Sequence, residues 1–219
     1  MTRAELARLL DHSVLKPEAT LADVRAGIDV VREWRVGCYC VQPCRVRMAA
    51  DALADTDAVV ASVVGFPHGA HRADVKASEA ALAIDDGARE IDMVINVGAL
   101  RDGDATLVAA DIEAVVRACG DVPVKAILEA AALDDAQKRI ACRLARESGA
   151  AFVKTSTGFH ANGGATVADV RLMRAEVGRA LGVKASGGIR SLVDALAMIE
   201  AGANRVGTSA SAAILGAIP

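Results

Sequence analysis

Short apolar runs alternate along this chain with longer stretches whose apolar residues recur at helical spacing. Seven runs read as strands: residues 36–41, 58–64, 90–96, 122–128, 151–155, 182–185 and 204–207, and a shorter one around 9–14 supplies an eighth. The segments between them open on helix-start signals. Thr20-x-x-Asp23, Thr166-x-x-Asp169 and Ser191-x-x-Asp194 fit the N-cap pattern, and Asp134-x-x-Gln137 is a weaker variant. Their ends recur too. Gly87, Gly149 and Gly202 each stand just before a predicted strand, where glycine can take the left-handed conformation that closes a helix and turns the chain into the sheet. A repeated strand–helix unit predicts a parallel sheet. About eight such units in roughly 200–250 residues predict an α/β chain folded as one TIM (β/α)8 barrel over residues 1–219. An open doubly wound sheet is the alternative; it needs fewer strands and a Gly-x-Gly-x-x-Gly turn after the first strand, which is absent.

Composition narrows the function. Hydrophobic residues make up 53% and aromatics only 2%, so the core must be aliphatic. A net charge of −3 argues against nucleic acid or anionic membranes as partners, since their capture needs a concentrated basic face. Residues 1–8 carry charges every few positions and read as neither a signal peptide nor a membrane span. Five cysteines, an odd number, suit a reducing compartment, and a soluble cytoplasmic protein is expected. Cys38, Cys40 and Cys44 cluster without a second pair at finger spacing, and His68 and His71 lack a third ligand. No metal is predicted.

In such a barrel, polar residues near the C-terminal ends of strands point into the site. Residues 90–96 place Ile91, Met93 and Ile95 on one face and Asp92 on the other, toward the barrel. Lys154 and Lys184 face inward by the same parity if Val153 and Val183 pack outward. Only six of 25 basic residues are lysine (Lys16, Lys76, Lys125, Lys138, Lys154 and Lys184), and three of them fall in predicted strands. Arginine serves as a surface cation, but it cannot lose its proton to become a nucleophile. Two ammonium groups about 4 Å apart repel by roughly 4 kcal/mol at an effective dielectric near 20. That repulsion is expected to leave Lys154 uncharged enough to attack a carbonyl, with Lys184 as its protonated neighbour. A buried salt bridge between Asp92 and Lys184 explains the same residues without chemistry. An anion cradle is read from Gly187-Gly188 after the seventh strand, Gly207-Thr208-Ser209 after the eighth and Gly158 after the sixth. Loops after strands seven and eight form the usual phosphate site of this fold.

Several strings carry a resemblance: residues 11–17 (DHSVLKP), 64–67 (VGFP), 90–100 (EIDMVINVGAL), 152–159 (FVKTSTGF), 183–190 (VKASGGIR) and 205–209 (RVGTS). Nearly end to end, the chain resembles the deoxyribose-phosphate aldolase family. The resemblance implies reversible cleavage of 2-deoxy-D-ribose 5-phosphate to acetaldehyde and D-glyceraldehyde 3-phosphate. It implies no metal or organic cofactor, and a possible homodimer. It further implies that Lys154 forms the Schiff base and that Asp92 and Lys184 exchange protons. Gly158, Gly187, Gly188, Gly207 and Ser209 would hold the phosphate. The chain departs from the family at Gln42, where asparagine or tyrosine is usual nearby, at His68 (leucine) and at Ala130 (threonine). Many members end in a tail with a tyrosine thought to aid proton transfer; residues 209–219 carry none, so where that tail matters enamine protonation is expected to be slower or to use another group. Lys16, Lys125, His12 and Glu129 are further barrel-lining candidates. Two other readings stay open: an isomerase or cyclase using Asp92 as base, and a non-catalytic sugar-phosphate binder.

Overall fold

The computed structural model describes residues 1–218; Pro219, the last residue of the predicted span and tail, lies outside the described residues. Each of the eight predicted runs forms a strand: β1 (Leu10–Val14), β2 (Cys38–Val41), β3 (Val59–Val64), β4 (Glu90–Val94), β5 (Val124–Ile127), β6 (Phe152–Lys154), β7 (Gly182–Ser186) and β8 (Arg205–Thr208). Neighbours pair in parallel, and β8 pairs with β1, so the sheet closes into an eight-stranded barrel. Helices alternate with the strands, as a TIM barrel requires. Strand ends differ from the sequence reading by a residue or two. Residues 122–123 stay outside β5, since Pro123 has no N–H to donate to a ladder. β7 and β8 run on to Ser186 and Thr208, which puts Gly207 inside a strand and not in the loop after it.

The capping signals separate on inspection. Thr20 with Asp23 and Ser191 with Asp194 form reciprocal capping boxes, and so does the weaker-looking Asp134 with Gln137. Thr166 accepts the Asp169 N–H but receives no reciprocal bond, because the Asp169 carboxylate is occupied by the Thr166 hydroxyl and by Lys138 Nζ at 2.7 Å. Gly87, Gly149 and Gly202 have φ of 108°, 85° and 114°. After each, the next N–H reaches back five residues: Ala88 to Ala83, Ala150 to Ala145 and Ala203 to Met198. This is the Schellman closure, and it sets where β4, β6 and β8 begin. One helix, Arg3–Leu9, went unread in the sequence. Seven residues are too few for a periodic signal, although Thr2 and Glu5 form a full capping box and Leu6 and Ala7 are buried.

The large aliphatic core lies between sheet and helices and includes Leu6, Ile91, Met93, Val153 and Val183. Inside the barrel the apolar part is small, Cys38, Cys40, Ala61 and Val63 on β2 and β3, and much of the remaining interior is charged. A fourth buried lysine lies outside the barrel. Lys76, on the helix Ala73–Asp85, donates to Asp111 Oδ2 at 2.7 Å and to the Val94 carbonyl at 2.8 Å, while the Asn96 N–H donates to the same Asp111 oxygen. The pair ties two helices to the end of β4. Lys76→Met strands the Asp111 carboxylate in the interior, so we expect a loss of about 3–5 kcal/mol in urea unfolding. Lys76→Met combined with Asp111→Leu should recover most of it; an unaltered urea midpoint for the single variant would contradict this role. Among the described residues no helix is long and apolar enough to cross a membrane.

Candidate active site

Strand alternation turns the charged residues inward. Ile91 and Met93 on β4, Val153 on β6 and Val183 on β7 pack into the outer core, leaving Glu90, Asp92, Lys154 and Lys184 on the inner face. Register then sets their neighbours: Asp92 lies beside Lys125, Lys154 beside Lys184, and Lys184 beside Arg205. Asp92 Oδ2 accepts from Lys154 Nζ at 2.7 Å and from Lys184 Nζ at 2.6 Å, while Oδ1 accepts from Lys125 Nζ at 2.8 Å. The two ε-nitrogens thus share one oxygen at one end of the barrel. Lys184 also donates to Asp11 Oδ2 at 2.5 Å.

Burial works against the charges of Asp92 and Lys184, and the opposite charges outweigh it. Burial pushes the Asp92 carboxyl up, but Lys125, Lys154 and Lys184 hold it well below the usual carboxylate range. Burial pulls Lys184 down, but Asp11 and Asp92 keep it well above the usual lysine range. At neutral pH Asp92 is a carboxylate and Lys184 an ammonium ion. The sequence argument considered only repulsion between two lysines. Both ε-nitrogens donate to the one Asp92 oxygen, an acceptor that a repulsion between lysines alone leaves out.

A cavity of about 710 Å³ opens over this cluster, in the usual range for small-ligand sites. Lys154 and Lys184 form part of its floor, and Gly158, Gly187, Gly188, Gly207 and Ser209 line it as well. Asp92 does not border it; fully enclosed, it lies behind the two lysines. Gly187 and Gly188 have φ of 89° and 81°, a left-handed conformation that favours glycine. A Cβ on Gly187 would lie 2.9 Å from Gly164 Cα and 3.2 Å from Gly158 Cα, so the loops after β6 and β7 touch backbone to backbone. Gly207 does something else. A Cβ there would come within 3.3 Å of Lys184 Cε and 3.0 Å of Ser186 Cβ, so this glycine leaves room for the lysine stem.

Asp11, Glu90 and Arg205 were not singled out in the sequence. The alternation that found Asp92 also selects them, being on the inner face of β1, β4 and β8. Of the undecided candidates, His12 and Lys16 line the cavity, Lys125 lies beneath it, and Glu129 accepts from the Thr157 N–H and hydroxyl behind the loop after β6. Gln42 donates to the Lys16 carbonyl at 2.9 Å, bracing the loop after β1; His68 is exposed and Ala130 buried. Cys38 and Cys40 are enclosed in the barrel and Cys44 is exposed, so the three do not converge. Among the described residues, Asp11, Cys38 and Glu90 do bring metal-type donors together. Both carboxylates, however, are engaged by Lys184, Lys125 and Arg205, and burial pushes the Cys38 thiol well above its ordinary range.

His12 is a buried neutral histidine. Its Nδ1 lies 3.0 Å from Ser211 Oγ, and burial lowers its pKa from 6.5 to about 4. Between those values the unfolded chain binds a proton that the folded chain does not. The stability held by neutral His12 is therefore complete above pH 6.5 and is lost as the pH falls toward 4, about 3 kcal/mol in all. Urea midpoints should fall less steeply across this window for His12→Gln than for the parent; parallel pH profiles would contradict the assignment.

Residues 6–217 match the family model described as DeoC/LacD family aldolase. The chain is 54% identical over 212 residues to the deoxyribose-phosphate aldolase of Enterococcus faecalis and 51% identical over 211 residues to that of Staphylococcus carnosus, each match covering 96% of both chains. The fold superposes on the tetrameric deoxyribose phosphate aldolase of Aeropyrum pernix with a TM-score of 0.91 at 31% identity, covering 98% of this chain and 91% of that one. A barrel of this register and relatives this similar lead to one conclusion: the chain belongs to the DeoC/LacD family of aldolases.

Proposed function

We propose that this protein is a class I aldolase that reversibly cleaves 2-deoxy-D-ribose 5-phosphate into acetaldehyde and D-glyceraldehyde 3-phosphate, with Lys154 as the Schiff-base residue. One observation carries the reading: Lys154 Nζ reaches the cavity 2.7 Å from a carboxylate it shares with Lys184, and glycine loops line the same cavity. In the proposed cycle, the Lys154 amine adds to C1 of the open-chain sugar, and loss of water gives a protonated imine. The C3 hydroxyl gives up its proton, through water, to the couple of Asp92 and Lys184. A carbonyl forms at C3, the C2–C3 bond breaks, and its electron pair passes into the imine to give an enamine. D-Glyceraldehyde 3-phosphate departs, C2 is protonated, and hydrolysis releases acetaldehyde and restores the amine. Since Asp92 is enclosed, its contact with substrate is indirect, and Lys184 is the group of the couple that faces the cavity.

The phosphate is assigned to Gly158, Gly187, Gly188 and Ser209, with Gly207 making room beside Lys184. Anchoring the 5-phosphate fixes where C1 and C3 lie relative to Lys154 and Lys184. Five free cysteines, four of them buried, support a reducing and hence cytoplasmic setting. Association as a homodimer belongs to the same proposal, and sedimentation velocity decides it. The activity is tested by incubating the purified protein with 2-deoxyribose 5-phosphate. Acetaldehyde and triose phosphate should appear in equal amounts, and more slowly from 2-deoxyribose lacking the phosphate. An isomerised pentose phosphate without carbon–carbon cleavage would refute the reading.

A further inference from the structure

We infer that Glu90 and Arg205, neither of which borders the cavity, are positioning residues that complete an electroneutral ring of side chains and thereby leave Lys154 as the one unbalanced cation. The inference rests on Lys154 being the imine-forming residue.

The ring can be walked bond by bond. Asp92 accepts from Lys125 at 2.8 Å; Lys125 donates to Glu90 at 2.5 Å; Glu90 accepts from Arg205 at 3.1 Å. Arg205 donates to Asp11 at 2.8 Å; Asp11 accepts from Lys184 at 2.5 Å; Lys184 donates to Asp92 at 2.6 Å and closes the circuit. Three carboxylates alternate with three cations, and each group has two partners in the ring. Asp11, Asp92, Lys125 and Lys184 are essentially solvent-free, and the Glu90 and Arg205 side chains are 12% and 16% exposed. Lys154 is attached from outside the ring, through Asp92 Oδ2 alone.

The inward positions of β2 and β3 add no charge to this cluster. β2 contributes Cys38 and Cys40; burial pushes the Cys40 thiol up to about 11 and Cys38 well above its ordinary range, so both are neutral. β3 contributes Ala61 and Val63. Glu129, past the end of β5, is a carboxylate held by the Thr157 N–H and hydroxyl and makes no bond to the ring. Lys16, Glu18, Asp23 and Arg190 line the cavity from exposed positions, where water screens them. The cluster is balanced when Lys154 is an amine and carries one excess positive charge when Lys154 is an ammonium ion. The ring itself is neutral, so removing one of its members changes the net charge beside Lys154 by one unit.

The charge count makes a signed prediction for two residues that the mechanism does not touch. Glu90→Gln removes an anion, so the pH midpoint for imine formation should fall by about one unit. Arg205→Gln removes a cation, so the midpoint should rise by a similar amount and trapping at neutral pH should slow roughly tenfold. The double variant restores balance, and its midpoint should return to the parent value. The readout is the initial rate of acetaldehyde adduct formation with cyanoborohydride across pH, for the parent and these three variants. Glu90→Asp and Arg205→Lys keep the charge, and their midpoints should stay at the parent value even where packing lowers the rate. If either single glutamine variant fails to fold, the double variant and the charge-retaining pair still decide. Midpoints that move in the same direction, or amplitude losses with unmoved midpoints in both single variants, would overturn the ring. A parent that forms no adduct at any pH would instead sink the Lys154 reading, and the inference with it.

Discussion

Lys154→Arg is expected to abolish covalent trapping of acetaldehyde and to lower the cleavage rate about ten-thousandfold or more, in a chain that still folds. Arginine keeps a positive charge beside Asp92, so the carboxylate keeps a partner on this side of the cluster. A guanidinium does not give up its proton under these conditions and cannot add to a carbonyl. The variant therefore separates charge from nucleophilicity. If Lys154 served only as a counter-ion, arginine would replace it with a modest loss. Loss of adduct and of turnover together, with an unchanged circular dichroism spectrum, places the chemistry on the amine. A Lys154→Arg protein that still cleaves the sugar phosphate at a rate within tenfold of the parent would remove Lys154 from the mechanism.

Asp92→Asn carries the second large effect, on two quantities at once. Asp92 is the common acceptor of Lys125, Lys154 and Lys184, and the carboxylate survives burial only because they surround it. An amide oxygen cannot balance the Lys125 and Lys184 ammonium groups, and the amide nitrogen would point donors at donors. Breaking a buried charged network in this way costs about 3–5 kcal/mol. Activity should fall a further hundredfold to ten-thousandfold, as expected when a proton-transfer couple loses its base. The two effects are separable, because unfolding in urea reports the first and kcat of the remaining folded protein reports the second. Wild-type stability with normal turnover would contradict both roles.

Much of this was legible in the sequence, for a physical reason. Inner and outer faces of a buried strand differ when one carries charge, so β4, β6 and β7 disclosed Asp92, Lys154 and Lys184 by parity alone. The glycine closures before β4, β6 and β8 were equally plain, because a left-handed residue between helix and strand leaves few choices. The partners of these residues were harder to read. Which lysine meets which carboxylate depends on register between strands far apart in sequence: Asp11 and Lys184 are 173 residues apart, Glu90 and Arg205 115. Parity marks Asp11 and Arg205 as interior but says nothing of who neutralises them. The shared Asp92 oxygen, which changes the two-lysine repulsion argument, is a property of that register. Lys76 was invisible for the opposite reason. It sits on a helix, where a single lysine looks like a solvated face until Asp111 is found opposite it. Gly207 shows what sequence does not disclose: it borders the cavity, and a Cβ there would crowd the stem of Lys184.

The most direct measurement is peptide mapping after reduction of the protein with acetaldehyde and cyanoborohydride. A mass gain of one ethyl group on the peptide carrying Lys154, and none on those carrying Lys184 or Lys125, is the predicted result. An ethyl group on Lys184 with Lys154 unmodified, or no modified peptide under conditions where the enzyme turns over, would contradict it.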